Sequence, residues 1–232
     1  MKKIKKIKKI KSFLIGLFAL AGAVQGAWSQ EVPSYDYWER SWDGTKVITT
    51  TKTKAPGEYG GIGGSYPEEW GVLYDGWYVV MEDALYHSLV IEGKDVHLII
   101  PDGKTLTVTG GVRLMRGHKL SIYSQGGDVG LLNVTNDYDG AAGIGSATVE
   151  GVEQAAGELV IHGGIINVTG GNYGAGIGSG AKSIGEDTDL CNTVTVYGGT
   201  VETHSYSTEA QWWPKVEAMR PVWAAALATA QP

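Results

Sequence analysis

Short strand-like runs that end in glycine recur through residues 76–206 of this chain. Each run has three to five residues, is rich in β-branched side chains and alternates apolar and other positions, as in Val96–Ile100, Leu120–Tyr123 and Leu159–His162. Such a short strand cannot bury a face alone, but stacked strands can pair above and below at about 4.8 Å. Glycine at the corners permits the positive φ angles that sharp bends need. The pattern therefore favours a stack of repeated coils.

Internal repeats indicate the size of one coil. Ala142–Ser146 (AGIGS) returns 33 residues later as Ala175–Ser179, and Leu159–Gly164 returns 35 residues later as Val194–Gly199. A finer spacing of about 20–23 residues links Tyr78, Leu98, Leu120 and Ala142, which is the size of one turn of a three-faced solenoid. We expect an all-β fold, a right-handed parallel β-helix with glycine-rich corners. The alternative is an antiparallel β-sandwich, which also has short strands at close spacing.

The alternation predicts which side chains face the core of such a helix. The expected inward residues are Val96, Leu98, Ile100, Leu120, Ile122, Leu159, Ile161, Val194 and Val196. Residues 27–75 are expected to be an irregular N-terminal cap or strand region, with a turn into a strand at 42–48, and residues 76–206 form the solenoid. Residues 207–232 lose the glycine pattern, and a helix is predicted from Lys215 to about Ala228. This tail is either a cap on the open strand edges or foreign sequence from a truncated or shifted reading frame.

The first 26 residues have the three-part pattern of a secretory signal peptide. Seven lysines precede a twelve-residue apolar run, Phe13 to Val24, and small residues follow. The run is shorter than the roughly 20 residues of a membrane-spanning helix. The sequence therefore predicts a secreted or cell-surface protein whose mature form has no membrane span.

Charge argues against nucleic acid as a partner. The chain has 19 basic and 25 acidic residues, and removal of the seven leader lysines leaves 12 basic residues and a net charge of −13. Phosphate binding needs clustered Lys and Arg, which the mature part does not show. The single cysteine, Cys191, cannot form an internal disulfide.

Three stretches of the sequence resemble one group of secreted bacterial proteins. They are Gly76–Val80, Asp95–Thr107 and Lys119–Gln125, together with the Ala-Gly-Ile-Gly and Gly-Gly-Thr-Val elements. The group consists of glycine-rich, adhesin-like surface proteins, often labelled carbohydrate-binding-domain proteins, and the resemblance covers roughly residues 38–206. It implies a β-helix at the cell surface, without a catalytic residue set to transfer. The chain departs from the group after Tyr206, where further repeats or cell-wall modules would usually follow.

Aromatic side chains are the candidate ligand-binding residues. Alignment of four strands on their inward residues places Ile99, Tyr123, His162 and Tyr197 at one outward position. Stacked aromatic faces would form a platform for sugar rings. The alternative is a cross-strand row that only stabilises the sheet. Trp38, Trp42 and Trp70 are other candidate platforms, with core or cap packing as their alternative.

Two acidic segments are candidate calcium sites. Residues 136–140 (NDYDG) contain Asp137 and Asp139, and residues 185–189 (GEDTD) contain Asp187 and Asp189. Hard cations prefer such oxygen clusters, but neither segment completes a twelve-residue calcium loop, and the same residues favour ordinary turns. No other cofactor is predicted. Asn133-Val134-Thr135 and Asn167-Val168-Thr169 match the glycosylation pattern, which carries little meaning in the bacterial setting that the resemblance implies.

These features predict a binding protein rather than an enzyme. The repeat region has Arg113 and Arg116 as its arginines, Asp95 and Asp102 are expected at turns without an evident catalytic partner, and no nucleophile motif is present. The first hypothesis is an adhesin-like protein that binds a glycan or surface polysaccharide through an outer β-helix face. The second is a structural stalk or matrix protein without a small ligand, and the third is a polysaccharide-degrading enzyme.

Overall fold

The computed structural model describes residues 33–146, 155–180 and 193–205. These residues are all-β, with no helix. The predicted signal peptide (1–26), the predicted helical tail (207–232), Cys191, Asp187 and Asp189 lie outside the described residues.

The described chain begins with an antiparallel hairpin, β1 (Tyr35–Trp42) and β2 (Val47–Lys54), which forms a two-stranded sheet. Asp43 closes its turn, since its Oδ1 accepts hydrogen bonds from the backbone N–H of Thr45 at 2.7 Å and of Lys46 at 2.8 Å. The predicted turn into a strand at residues 42–48 is therefore confirmed.

Thirteen further strands of the described residues form one sheet, in which every strand pairing is parallel. They are β3 (Gly60–Leu73), β4 (Gly76–Ile91), β5 (Val96–Ile100), β6 (Thr105–Val108), β7 (Val112–Leu114), β8 (Lys119–Ser124), β9 (Leu131–Thr135), β10 (Ile144–Gly145), β11 (Glu158–Ile161), β12 (Ile165–Gly170), β13 (Ile177–Gly178), β14 (Thr193–Val196) and β15 (Thr200–Ser205). The antiparallel alternative is wrong. The sheet curls, which is compatible with a solenoid-like fold.

The pairings run in three ladders. The first ladder joins β3, β4, β5, β8, β11 and β14. The second ladder joins β3, β4, β6, β9, β12 and β15. The third ladder joins β3, β4, β7, β10 and β13. The long strands β3 and β4 contribute to all three ladders, whereas each later passage of the chain is divided among separate shorter strands.

The described part of the expected N-terminal cap or strand region is built of strands. Residues 33–75 hold β1, β2 and β3, and the parallel sheet begins at Gly60 rather than at residue 76. Strand β3 contains five glycines and Pro67, which hide a strand pattern in the sequence. Strand β3 lies at one edge of the described sheet. An edge strand tolerates proline, because the backbone N–H groups on its open side donate to no neighbouring strand.

One hydrophobic core draws on all three ladders. Leu98 and Ile122 come from the first ladder, Leu106 from the second, and Leu114 and Ile144 from the third. The inward residues predicted on β5, β8 and β11 are at most 2% exposed.

Val194 and Val196 differ from that prediction, being 41% and 44% exposed although they are in register with buried Leu159 and Ile161. Strand β14 is the last described strand of the first ladder, so no described strand covers them.

Candidate functional site

The predicted aromatic row lies on the outer side of the first ladder. Ile99 is paired with Tyr123, and the rings of Tyr123 and His162 stack with centroids 4.3 Å apart and planes at 5°. The rings of His162 and Tyr197 follow at 5.5 Å. The structure thus brings the three candidate residues together, one from each of three successive strand segments.

The hairpin covers most of this row. Tyr123 is 3% and His162 7% exposed. The ring of Tyr37 packs edge-on against Tyr123 at 5.1 Å and lies tilted against Trp77 at 4.9 Å. Tyr197 is partly exposed. The prediction of an open platform therefore needs correction for Tyr123 and His162, because a strand from the N-terminal region occupies the place where a sugar would stack.

Arg40 fastens the hairpin to the sheet. Its backbone N–H and carbonyl oxygen lie 3.0 and 2.8 Å from Nδ1 of His162, so either tautomer of the ring can bond the strand. Its guanidinium donates to the backbone carbonyl of His162 and lies 3.2 Å from Oδ2 of Asp128. Asp128 in turn accepts hydrogen bonds from the Ser124 hydroxyl and from the backbone N–H of Gly164 at 2.7 Å. Arg40 is 9% exposed, so these hydrogen bonds and the ion pair with Asp128 are buried.

A second polar network lies beside the fastening. The ring of His97 stacks on Trp77 with centroids 4.2 Å apart, its Nδ1 lies 3.0 Å from the Tyr123 hydroxyl, and its Nε2 lies 3.2 Å from Oδ2 of Asp95. Because Nε2 faces a carboxylate, it carries the proton, and Nδ1 accepts from Tyr123. Burial raises the pKa of Tyr123, which keeps its hydroxyl a donor. The ammonium nitrogen of Lys54 lies over the Trp77 ring, 4.2 Å from the ring centroid.

Acid is expected to loosen the hairpin. Burial lowers the pKa of His162 and of His97 below their ordinary value of 6.5, although Asp95 opposes the shift at His97. Above that value both rings are neutral in the folded and the unfolded chain. As the pH falls below it, the unfolded chain takes up protons first, so the free energy of unfolding decreases. Urea midpoints measured from about pH 8 to about pH 5 should fall.

The double variant His97→Gln, His162→Gln is the control for this pH dependence. It removes both titrating rings, so its urea midpoint should vary less over the same range. The charged groups around the two rings are Glu39, Arg40, Lys54, Asp95, Lys119 and Asp128. If the urea midpoint of the double variant falls with pH as steeply as that of the wild-type chain, these groups rather than the histidines cause the pH dependence.

A second aromatic group is exposed at the corner between the second and third ladders. We call Trp70, His87, Tyr138 and Tyr173 the aromatic corner. Trp70, Tyr138 and Tyr173 are 59%, 52% and 62% exposed. The Tyr138 hydroxyl lies 3.0 Å from Nε2 of His87, and the two rings meet edge to face at 5.9 Å. Trp70 belongs to this corner by its position on the edge strand β3, where it is in register with Ser88 rather than with His87.

Backbone contacts fix the two tyrosine loops of this corner. The backbone N–H of Gly140 donates to Asn172 at 2.7 Å, and that of Gly171 donates to Ala141 at 3.0 Å. The buried Asn136 side chain accepts from the backbone N–H of Tyr138 at 3.1 Å. Its Nδ2 donates to the carbonyl of Ala142 at 2.8 Å. Successive loops are therefore bonded to each other, and their tyrosines are presented from a fixed backbone.

The acidic segment at this corner is built as a turn. Asp137 and Asp139 are exposed on either side of Tyr138, while the Asn136 side chain is committed to the backbone. In the described ranges, no group of three or more His, Cys, Asp or Glu side chains is placed to hold a metal ion. Asp187 and Asp189 lie outside those ranges. What the described geometry offers here is carboxylates beside an aromatic ring, which suit hydrogen bonding to hydroxyl groups.

Sequence reasoning selected Trp70 but missed the other members of the corner as ligand-binding residues. The signal that was available is that Tyr138 and Tyr173 each stand in a polar, glycine-containing loop, 35 residues apart like the other repeats. A bulky aromatic residue in such a loop has no inward position to fill, so exposure was the natural expectation.

No protein-family model, curated protein or solved structure matches this chain. In the part of the chain that the structure describes, no helix has the length and apolar character needed to cross a membrane.

Proposed function

We propose that this chain is an adhesin-like, secreted or cell-surface β-helix of right-handed parallel type that binds carbohydrate through its outer surface. The exposed aromatic corner is the observation that supports this function best. Pyranose rings stack their C–H faces on aromatic rings as other apolar groups do, and the flanking Asp137 and Asp139 carboxylates can accept hydrogen bonds from sugar hydroxyls. The three ladders and the glycine-rich repeats support the β-helix, and the adhesin-like part of the proposal rests on the sequence resemblance.

The fixed geometry of the corner favours binding. Tyrosine loops that are already bonded to each other lose little conformational entropy when a ligand arrives, which is the general advantage of a preorganised site. The aromatic members come from four passages of the chain, since Trp70 lies on β3, His87 on β4, and Tyr138 and Tyr173 in later loops, with residues 109–111 between His87 and the Tyr138 loop. Exposed rings spread over several passages suit an extended oligosaccharide more than a single sugar.

The variant Tyr138→Ala is expected to weaken glycan binding at least tenfold. The change removes a stacking ring and its contact with His87, a loss of about 1.4 kcal/mol for each factor of ten. Binding of the full chain to an array of neutral and acidic oligosaccharides measures the effect, and calcium should be included and omitted to test Asp137 and Asp139.

The matched control is Tyr74→Ala, which removes a 57% exposed tyrosine from the turn between β3 and β4. It should bind as the wild-type chain does. Equal loss in both variants would mean that the corner is not the site. A folded wild-type chain that binds nothing on the array would contradict the proposed function.

A structural stalk without a glycan ligand is the second candidate. It is favoured by the aromatic row of the first ladder, which holds the hairpin in place instead of facing solvent. The same array experiment separates the two candidates, because a structural stalk should bind no glycan on the array even when the sample is folded.

A further inference from the structure

The hairpin lies on the first ladder without joining its sheet. In the described residues, the strand pairings connect β1 with β2 and neither of them with the thirteen-stranded sheet. A two-stranded hairpin is at best marginally stable alone in water, so its docking contacts hold it in place. Its departure would break no pairing of the three ladders.

The surface beneath the hairpin is a continuous row of rings. We call Trp77, His97, Tyr123, His162 and Tyr197 the covered row. Centroid distances along it are 4.2 Å from Trp77 to His97, 5.8 Å from His97 to Tyr123, 4.3 Å from Tyr123 to His162, and 5.5 Å from His162 to Tyr197. The rings also carry polar atoms, namely imidazole nitrogens and phenol hydroxyls. Flat faces together with hydrogen-bonding edges are what a sugar ring requires.

The contacts that hold the hairpin on the covered row are both polar and apolar. Arg40 bonds the backbone and ring of His162 and lies against Asp128, while Tyr37 supplies the main aromatic contact. The outer strand of the hairpin, β2, is exposed over six of its eight residues. A ligand that provides both hydrogen bonds and an apolar face can therefore replace both kinds of contact.

The charged groups around the covered row indicate which kind of ligand it can bind. Two cations at this interface, Arg40 and Lys54, belong to the hairpin and leave with it. Asp95, Asp128 and Glu158 stay on the sheet beside the row, with Lys119 as a cation paired to Glu158 at 3.4 Å. Three acids and one base disfavour an anionic ligand, so the row suits an uncharged oligosaccharide.

We propose that the hairpin is a displaceable cover and that the covered row is a second carbohydrate site, which takes an uncharged oligosaccharide when the hairpin moves away. This inference rests on the carbohydrate binding proposed above. If the hairpin never moved, the covered row would serve only as packed core, whereas this inference gives the row a ligand-binding role.

The test is a gain of binding in the full chain. The background variant Tyr138→Ala, Tyr173→Ala removes the exposed tyrosines of the aromatic corner. Addition of Arg40→Met removes the guanidinium contacts with Asp128 and His162 but keeps an apolar stem. We expect signals on immobilised neutral oligosaccharides to rise at least tenfold over the background variant, and further addition of Tyr197→Ala to remove that gain.

Two controls accompany this test. Thr53→Val removes the exposed hydrogen bond from the Thr53 hydroxyl to Asp36 in the same hairpin, a bond that involves no residue of the covered row, and should give no gain. Hydrogen exchange should show lost protection of residues 35–54 in the Arg40→Met chain, with the thirteen-stranded sheet still protected.

The outcomes separate this inference from the proposed function. A released hairpin without a gain in binding overturns the second site, and so does a gain that survives Tyr197→Ala. A hairpin that stays protected in the Arg40→Met chain overturns the displaceable cover. None of these results affects Tyr138-dependent binding by the wild-type chain, which tests the proposed function by itself.

Discussion

Gly145→Ala is expected to lower the free energy of unfolding by about 4 kcal/mol or more, the range in which a single substitution is exceptional. Gly145 pairs with Gly178 in the third ladder, and a methyl group on it would overlap the carbonyl oxygen of Gly178. Its φ of 143° is also a conformation that side chains with a Cβ rarely adopt. Neither strand can move away, because the neighbouring backbone amides are bonded between the two passages of the chain.

Urea unfolding of the full chain measures this loss, with expression level as a second indicator. The matched control is Gly126→Ala, whose added methyl group would lie 3.5 Å from the Trp38 ring, an ordinary contact, and whose φ is not positive. It should change the free energy of unfolding by less than about 1 kcal/mol. Similar losses in both variants would mean that close packing of the third ladder does not depend on glycine.

Ile122→Ala is expected to cost about 3 kcal/mol. Ile122 is 0% exposed and lies between Leu98 and Ile161 in the first ladder, with strands on both sides. Removal of its outer carbons leaves a cavity that three ladders of a parallel sheet cannot collapse without breaking register. The urea midpoint should fall while the slope of the transition stays the same, since the surface exposed on unfolding changes little.

Ile48→Ala is the control for the core variant. Ile48 is 41% exposed on the hairpin, so the same chemical change should cost less than about 0.5 kcal/mol. A comparable cost at both positions would contradict a core centred between the ladders.

The ladders were predictable because their signals are local. Alternation along Val96–Ile100 and Leu120–Tyr123 determines which side chains point inward, and the AGIGS repeat marks equivalent corners. The inward set on β5, β8 and β11 is buried as expected. The prediction missed β3, because its glycines and Pro67 remove the alternation on which the prediction depended.

The candidate site was less predictable because exposure is not a local property. Alignment of the strands placed Tyr123 beside His162, as the structure has them, but could not show that Tyr37 and Arg40 cover both. The contact between Arg40 and His162 joins residues that are 122 positions apart. No periodicity in either segment encodes which outward face a distant hairpin will occupy.

The sequence by itself determined that the repeat region is all-β, which side chains of its strands face the core, and where glycine turns the chain, because side-chain alternation and allowed φ angles act over a few residues. Only the tertiary structure decided which outward aromatic residues remain available to a ligand. Docking of the hairpin buries Tyr123 and His162, while the bonded corner loops leave Tyr138 and Tyr173 in solvent. The physical reason is that burial of an outward surface depends on shape, charge and hydrogen bonds contributed by a segment remote in the chain.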